Sequence, residues 1–161
     1  MTRTITPLTA ADVPALAELL AANGLPTDDH TAPGRRFWRV VDAEGLLGYG
    51  GLEPYGADGL LRSVVVPVQR RGSGAGRPIV AAVCEEARRL GVERLWLLTM
   101  GAAGFFERLG FRRTARASAP TDIAASAQFA GLCPGSALCL CRDLLATKEP
   151  PAGLLTGSST P

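Results

Sequence analysis

Residues 60–76 read Leu-Leu-Arg-Ser-Val-Val-Val-Pro-Val-Gln-Arg-Arg-Gly-Ser-Gly-Ala-Gly, and the succession of apolar run, proline and glycines decides the fold. The stretch 60–66 is apolar and β-branched apart from Arg62 and Ser63, the pattern of a central strand covered on both faces. After the loop 67–76, Ile79, Val80, Val83, Cys84, Ala87 and Leu90 form one apolar helical face. Glu85, Glu86, Arg88 and Arg89 oppose it, and Gly91 stops the helix. A glycine-rich segment between a buried strand and a helix start suits an anion. Free N–H groups and aligned peptide dipoles point outward there, and glycines let the backbone approach a phosphate. A plain tight turn explains a glycine loop nearly as well.

Upstream, Thr9-Ala-Ala-Asp12 resembles a capping box, and Val13, Leu16, Leu19 and Leu20 follow at helical spacing until Asn23-Gly24. Residues 25–34 carry Pro26, Asp28, Asp29, His30 and Pro33 and read as a loop. Strands fit 37–42 and 46–53, joined by Ala43-Glu44-Gly45 as a hairpin. Downstream, 94–98 is a second buried strand, 102–109 a short helix ended by Gly110, and 111–115 a further strand. A helix over 120–129 and a last strand over 136–144 complete a layered sheet. The reading takes 1–146 as one domain and 147–161, rich in Pro, Gly, Ser and Thr, as a flexible tail.

With 161 residues, 47% hydrophobic, 20% charged and a formal net charge of +2, the chain is neither a disordered acidic segment nor a basic nucleic-acid arm. This favours a small-molecule partner, with no nucleic acid and no membrane. No apolar run reaches the roughly 18 residues of a membrane span, and the start lacks a signal core, so a cytoplasmic location is expected. The cysteines Cys84, Cys133, Cys139 and Cys141 form no C-x-x-C pair, and His30 is the one histidine, so no metal is expected.

The rival phosphate motifs fail on position. A Walker loop needs Lys-Ser/Thr after its last glycine, where Arg77-Pro78 stands. A dinucleotide loop starting at Gly72 or Gly74 needs a glycine at Arg77 or Ile79. What remains is R-x-x-G-x-G, formed by Arg71, Gly74 and Gly76, which resembles the coenzyme A signature of the GNAT N-acetyltransferase superfamily. Thr99-Met-Gly-Ala-Ala-Gly-Phe-Phe-Glu-Arg-Leu-Gly-Phe111 resembles the family's N-x-x-A-x-x-x-Y segment followed by L-G-F. The likeness is closest to GNAT proteins associated with bacterial arsenic resistance, through Gly51-Leu-Glu53, residues 60–63, Phe105-Phe106 and residues 129–136. Lys148 as the one lysine among 17 basic residues fits a GC-rich bacterial genome.

The resemblance implies a mixed α/β GNAT fold, with a mostly antiparallel twisted sheet splayed between its fourth and fifth strands and flanked by helices. It implies acetyl-coenzyme A as co-substrate: N–H groups of Val64, Val65 and Val66 bind the pantetheine arm and polarise the thioester carbonyl, while Arg71, Gly72, Ser73, Gly74, Ala75 and Gly76 hold the pyrophosphate. Thr99 and Phe106 stand where the family has its Asn and its acidic Tyr. Phe106 cannot donate a proton.

Pro78 departs from the usual aliphatic residue but fits a first helical turn. Glu53 is the candidate general base, with a solvated strand-end carboxylate as the equal alternative. Arg62, a charge on a central strand, either binds an acceptor oxyanion or pairs with Glu53 or Asp58. Ser63 is an acceptor contact or a satisfied hydroxyl. Cys133 touches the acceptor, or an arsenic(III) ligand, unless it is a small buried hydrophobe like Cys139 and Cys141. Asp28, Asp29 and His30 either rim the acceptor pocket or form an ordinary solvated loop.

The expected activity is acetyl transfer to the amine of a small molecule, an amino acid or an arsenic-containing analogue. A noncatalytic acyl-coenzyme A sensor, suggested by Phe106, and a protein N-acetyltransferase are the alternatives. A homodimer stays open.

Overall fold

A computed structural model describes residues 3–23, 34–132 and 136–145. Cys133, the loop with Asp28, Asp29 and His30, and the 147–161 tail lie outside the described residues.

Seven strands form one sheet: β1 (Thr4–Pro7), β2 (Arg36–Asp42), β3 (Gly45–Tyr55), β4 (Asp58–Val65), β5 (Arg94–Thr99), β6 (Arg112–Arg113) and β7 (Leu138–Asp143). Their order across the sheet is β1-β2-β3-β4-β5-β7-β6. Every neighbouring pair is antiparallel except β4 and β5, which run parallel. That parallel ladder ends at Leu60↔Trp96, although β4 continues to Val65 and β5 to Thr99. The strands part from there on, as the mostly antiparallel, splayed α/β sheet of the sequence reading requires.

One face carries α2 (Gly76–Arg89) and α3 (Ala103–Arg108). Their Val80, Val83, Ala87 and Phe106 pack against Leu52, Leu61, Leu95, Leu97 and Leu140. The opposite face is covered in two patches. Leu16 and Leu20 of α1 (Val13–Ala22), both fully buried, sit on Tyr49 and Val65; each such burial stabilises the fold by about 1.5–3 kcal/mol. Ile123 of α4 (Thr121–Ala124) and Phe129 cover Leu60, Trp96, Cys139 and Cys141.

Several boundaries differ from the sequence expectation. β1 was not expected, because four residues ending in proline give no apolar alternation; it survives as an edge strand paired only with β2. β3 runs past Glu53 to Tyr55, so Glu53 is not at a strand end. Pro54 is tolerated there because β2 begins only opposite Leu52, leaving one side of β3 without a strand partner where a missing N–H costs no ladder bond. The 120–129 helix is interrupted: Ser126 Oγ donates to the Ile123 carbonyl at 2.6 Å and accepts from the Phe129 N–H at 3.4 Å. This local competition ends α4 and leads into a π-helical turn over Gln128–Leu132.

Candidate active site

A bulge in β4 organises the site. Between the pairs Tyr49↔Val65 and Gly51↔Arg62, β4 has one residue more than β3. Ser63 sits there at φ +57°, the left-handed region that costs a non-glycine residue about 1–2 kcal/mol. An extra residue flips the side-chain alternation of everything beyond it. Before the bulge Leu61 faces α2; after it Val64 and Val66 face α2 while Val65 turns to α1.

A cleft of about 320 Å³ opens where β4 and β5 part. It is lined by Arg62, Ser63, Val64 and Val66 from β4 and its end, by Leu97, Leu98 and Thr99 from β5, and by Gly76, Ala102, Phe105 and Phe106 below. Of the residues expected to meet the cofactor, Val64, Val66, Gly76, Thr99 and Phe106 thus converge. The Val65 side chain is buried outside the cleft.

At one end the cleft meets the glycine loop. Gly72 and Gly74 both adopt φ +80°, a conformation that β-carbon-bearing residues enter at a cost. Gly76 opens α2 with the Phe105 ring against it: a Cβ there would lie 2.9 Å from Phe105 Cζ. No side chain caps this helix start, so its first N–H groups stay available and its dipole favours an anion. Ser73, Gly74 and Ala75 line an adjoining depression of about 270 Å³. Arg71 donates to Asn23 Oδ1 at 2.5 Å and to the Val66 carbonyl at 3.4 Å.

Two groups that anchor this loop escaped the sequence reading. Arg70 makes a two-pronged contact to Asp42 in the β2–β3 hairpin, at 2.6 and 3.2 Å. That hydrogen-bonded guanidinium holds the Asp42 carboxyl below the usual carboxylate range, and the carboxylate raises Arg70 in turn. The Ser73 hydroxyl donates to the Arg70 carbonyl. Adjacent basic residues at 70 and 71 carry no signal of which one turns inward.

Thr99, in the family's Asn position, accepts the Ala102 N–H at 3.2 Å and so caps the turn into α3. Phe106, in the Tyr position, packs edge-to-face on Phe105 and Phe111 with centroids 4.9 and 5.6 Å away.

On the sheet face between the α1 and α4 patches lies a buried polar cluster. Glu53 is fully buried rather than solvated. Its Oε2 accepts from Arg62 Nη1 at 2.5 Å and lies 3.5 Å from Arg35 Nε, and its Oε1 accepts from the Tyr55 hydroxyl at 2.6 Å. Arg62 also donates from Nε to Ser63 Oγ at 3.2 Å and stands 5.7 Å from the Phe37 ring centroid. The pairing alternative for Arg62 is therefore realised with Glu53, while Asp58 is held by Arg94 and Trp96. Burial, then the hydrogen bond to Glu53, pushes Tyr55 up to about 12, so it remains a protonated donor at physiological pH. Tyr55 lies two residues from Glu53 on one strand face, a signal hidden by ending the strand at Glu53. Among the described residues no group of three His, Cys, Asp or Glu is placed to hold a metal ion, and no helix is long and apolar enough to cross a membrane.

Residues 33–113, half of the chain, match the family described as acetyltransferase (GNAT) domain. A Bacillus subtilis (strain 168) protein named as the uncharacterized N-acetyltransferase YobR is 30% identical over 83 residues, covering 49% of this chain and 34% of that protein. The match thus spans about a third of that relative's length. Among solved structures, N-acetylglutamate synthase from Neisseria gonorrhoeae, complexed with coenzyme A and L-arginine, superposes with a TM-score of 0.71 at 19% identity over 89% of this chain and 33% of that one. The ribosomal-protein-S18-alanine N-acetyltransferase of Escherichia coli gives 0.65 at 16% identity over 94% and 100%. At these identities the likeness carries the fold.

Proposed function

This chain belongs to the GNAT acetyltransferase domain family, and from that premise we propose that it transfers acetyl from acetyl-coenzyme A to the amine of a small molecule, an amino acid or an arsenic-containing analogue. The observation that carries the reading is the cleft beyond Leu60↔Trp96, which opens directly onto the glycine loop and an uncapped helix start. In this reading the main chain at Val64, Val65 and Val66 binds the pantetheine arm and polarises the acyl carbonyl. The loop from Arg71 through Gly72, Ser73, Gly74 and Ala75 to Gly76 holds the pyrophosphate, with Arg71 exchanging Asn23 for a phosphate oxygen. Thr99 and Phe106 shape the wall beside the thioester, and Arg62, Ser63 and Cys133 border the acceptor. The proposal treats residues 1–146 as one cytoplasmic, bacterial domain, and includes the narrower likeness to arsenic-resistance-associated GNAT proteins.

Acyl transfer needs a neutral amine, donors aimed at the carbonyl oxygen and a proton for the departing sulfur. The thioester supplies an activated acyl group on a good leaving group, which lightens the third requirement where Phe106 has no proton to give. Direct proton abstraction by Glu53 is poorly supported, because both its oxygens are engaged and none of its surface is exposed. The proposal therefore routes the amine proton to water in the cleft and keeps Glu53 as the countercharge that fixes Arg62.

The test is incubation with acetyl-coenzyme A and a broad amine panel, read by mass spectrometry, with calorimetry of cofactor binding alongside. An acetylated small-molecule product is expected. Cofactor binding without any product favours the sensing alternative, for which the buried Phe106 ring stack speaks. Acetylation of proteins but of no small amine favours the protein-modifying one, and no binding heat at all overturns the central claim.

A further inference from the structure

A cavity of about 470 Å³, larger than the cleft between β4 and β5, takes no part in the proposed reaction. It shares no lining residue with that cleft or with the depression beside the glycine loop. α2 separates them: its 14 residues place Arg89 about 20 Å from Gly76, and the cavity adjoins the Arg89 end.

The cavity arises where the sheet edge runs out. β1 pairs with β2 only as far as Pro7↔Trp38. Once the Leu8 N–H has donated to the Phe37 carbonyl at 3.0 Å, the chain turns away into the 3₁₀ turn Ala10–Asp12. Arg35 and Arg36 therefore have no strand beside them on that edge. Alternation along β2 sends neighbouring side chains to opposite faces. Phe37 joins Leu16 in the patch under α1, and Trp38 joins Val83 and Ala87 in the patch under α2. Val13 and Leu16 wall one side of the gap, and Leu90, 40% exposed, walls the other.

These walls are mostly apolar, but their charges do not balance. The lining holds Arg35, Arg36 and Arg89 against a single acid, Glu86. Arg35 Nε lies 3.5 Å from Glu53 Oε2, and Arg89 Nη1 donates to Glu86 Oε2 at 2.7 Å. Arg36 is exposed and makes no hydrogen bond or ion pair among the described residues. Two guanidiniums thus already face a carboxylate, and the third leaves room for one further negative charge. Glu86 repels any charge beyond that. An apolar hollow with a few convergent polar groups is the usual form of a site for an organic molecule. The planar guanidinium fork receives a carboxylate through two parallel hydrogen bonds. A bare inorganic anion would leave the apolar walls in water, so the matching ligand carries an apolar body as well.

We propose that this cavity is a second binding site that takes a monocarboxylate with an aromatic or branched apolar body. Its carboxylate sits on Arg36, and its body fills the space between Val13, Leu16, Trp38 and Leu90. The site stands apart from the acyl-transfer reading and does not depend on it.

Phenylacetate is the probe, read by the fluorescence of Trp38, which lines the cavity. Trp96 belongs to the patch under α4, and Trp38→Phe identifies the signal. A saturable change with a millimolar dissociation constant is expected of so small a molecule. Acetate, which lacks the body, and phenylacetamide, which lacks the charge, should each bind at least about tenfold more weakly. Arg36→Gln changes an exposed side chain, so the fold should persist while phenylacetate weakens at least about fivefold. Glu86→Gln should strengthen binding by about two- to fivefold, because it removes the one acid in the lining and releases Arg89. Opposite signs in two exposed variants are not what a purely structural role produces. Added coenzyme A should leave the phenylacetate constant within about twofold, as for independent sites. No saturable change up to about 50 mM phenylacetate overturns the proposal. So does equal binding of phenylacetamide, or an affinity that both variants leave unchanged. Displacement by coenzyme A would put the probe in the cleft and overturn it too. A dimer in sedimentation velocity that Leu90→Glu dissociates would assign this face to a second copy of the chain, with the same consequence.

Discussion

Replacing Glu53 by glutamine keeps the shape of the side chain and removes its charge, leaving the Arg62 guanidinium without the carboxylate at 2.5 Å. Both side chains of the pair are fully buried, so water cannot make up the loss. Breaking a buried pair from one side costs about 3–5 kcal/mol, against about 1 kcal/mol or less for an exposed pair. For a chain of this size each kcal/mol lowers the melting temperature by about 2–4 °C, so Glu53→Gln should melt roughly 6–20 °C below wild type. Urea unfolding followed by the fluorescence of Trp38 and Trp96, both buried, measures the free energy directly, with an unchanged slope expected. The double variant Glu53→Gln with Arg62→Met should regain more than half of the loss, because it removes the buried guanidinium charge that the single variant leaves without its carboxylate. A single-variant loss below about 1 kcal/mol would mean that the pair is effectively solvated, and the account of the polar cluster would fail.

Gly74→Asp puts a carboxylate into open space at φ +80°, so the fold should survive at a cost of about 1–2 kcal/mol while coenzyme A affinity measured by calorimetry collapses. Unchanged affinity in the folded variant would mean that the pyrophosphate binds elsewhere. Burial raises the thiols of Cys84 and Cys139, and that of Cys141 to about 11, so at pH 8 a thiol reagent should leave all three unlabelled in the native protein and label them in urea. Fast native labelling at any of the three, located by peptide mapping, would contradict their burial. Phe106→Tyr should change turnover less than about tenfold, because the new hydroxyl enters a ring stack and must first find a partner. A gain of about a hundredfold or more would identify a domain that had lost its acid.

The conformation of the glycine-loop half of the proposed site was legible because its physics is local. A glycine run after a buried strand and before an amphipathic helix specifies main-chain donors without reference to the rest of the chain, and 60–66, 67–76 and the α2 face all appear close to the expected bounds. The splaying of the sheet between β4 and β5 followed from the resemblance alone, since nothing in the residues states which strands adjoin. The bulge was invisible: Ser63 is an ordinary residue, and its positive φ arises from a register mismatch with β3, 12 to 14 residues earlier in the chain. Tyr55 and Arg35 were missed for a related reason. Arg35 reaches Glu53 from just before β2, a long-range contact, and Tyr55 shares β3 with Glu53 beyond the expected strand end, across a proline that disguised the continuation.

Charge placement separates the two halves of the cleft. On the side proposed for coenzyme A the ion pairs are peripheral, as with Arg70 and Asp42, and the groups proposed to bind it are main-chain atoms that need only a rigid path. On the side proposed for the acceptor a carboxylate and a guanidinium are buried in the sheet face, where apolar residues of equal volume would be as stable or more so. A fold with no use for that pair has no thermodynamic reason to keep it. The pair adjoins a strained serine that lines the cleft, and strain of this kind persists only where the surroundings over-determine it. The buried charges stand as the polar support beneath that serine, with Phe106 packed in a ring stack rather than placed as a source of protons.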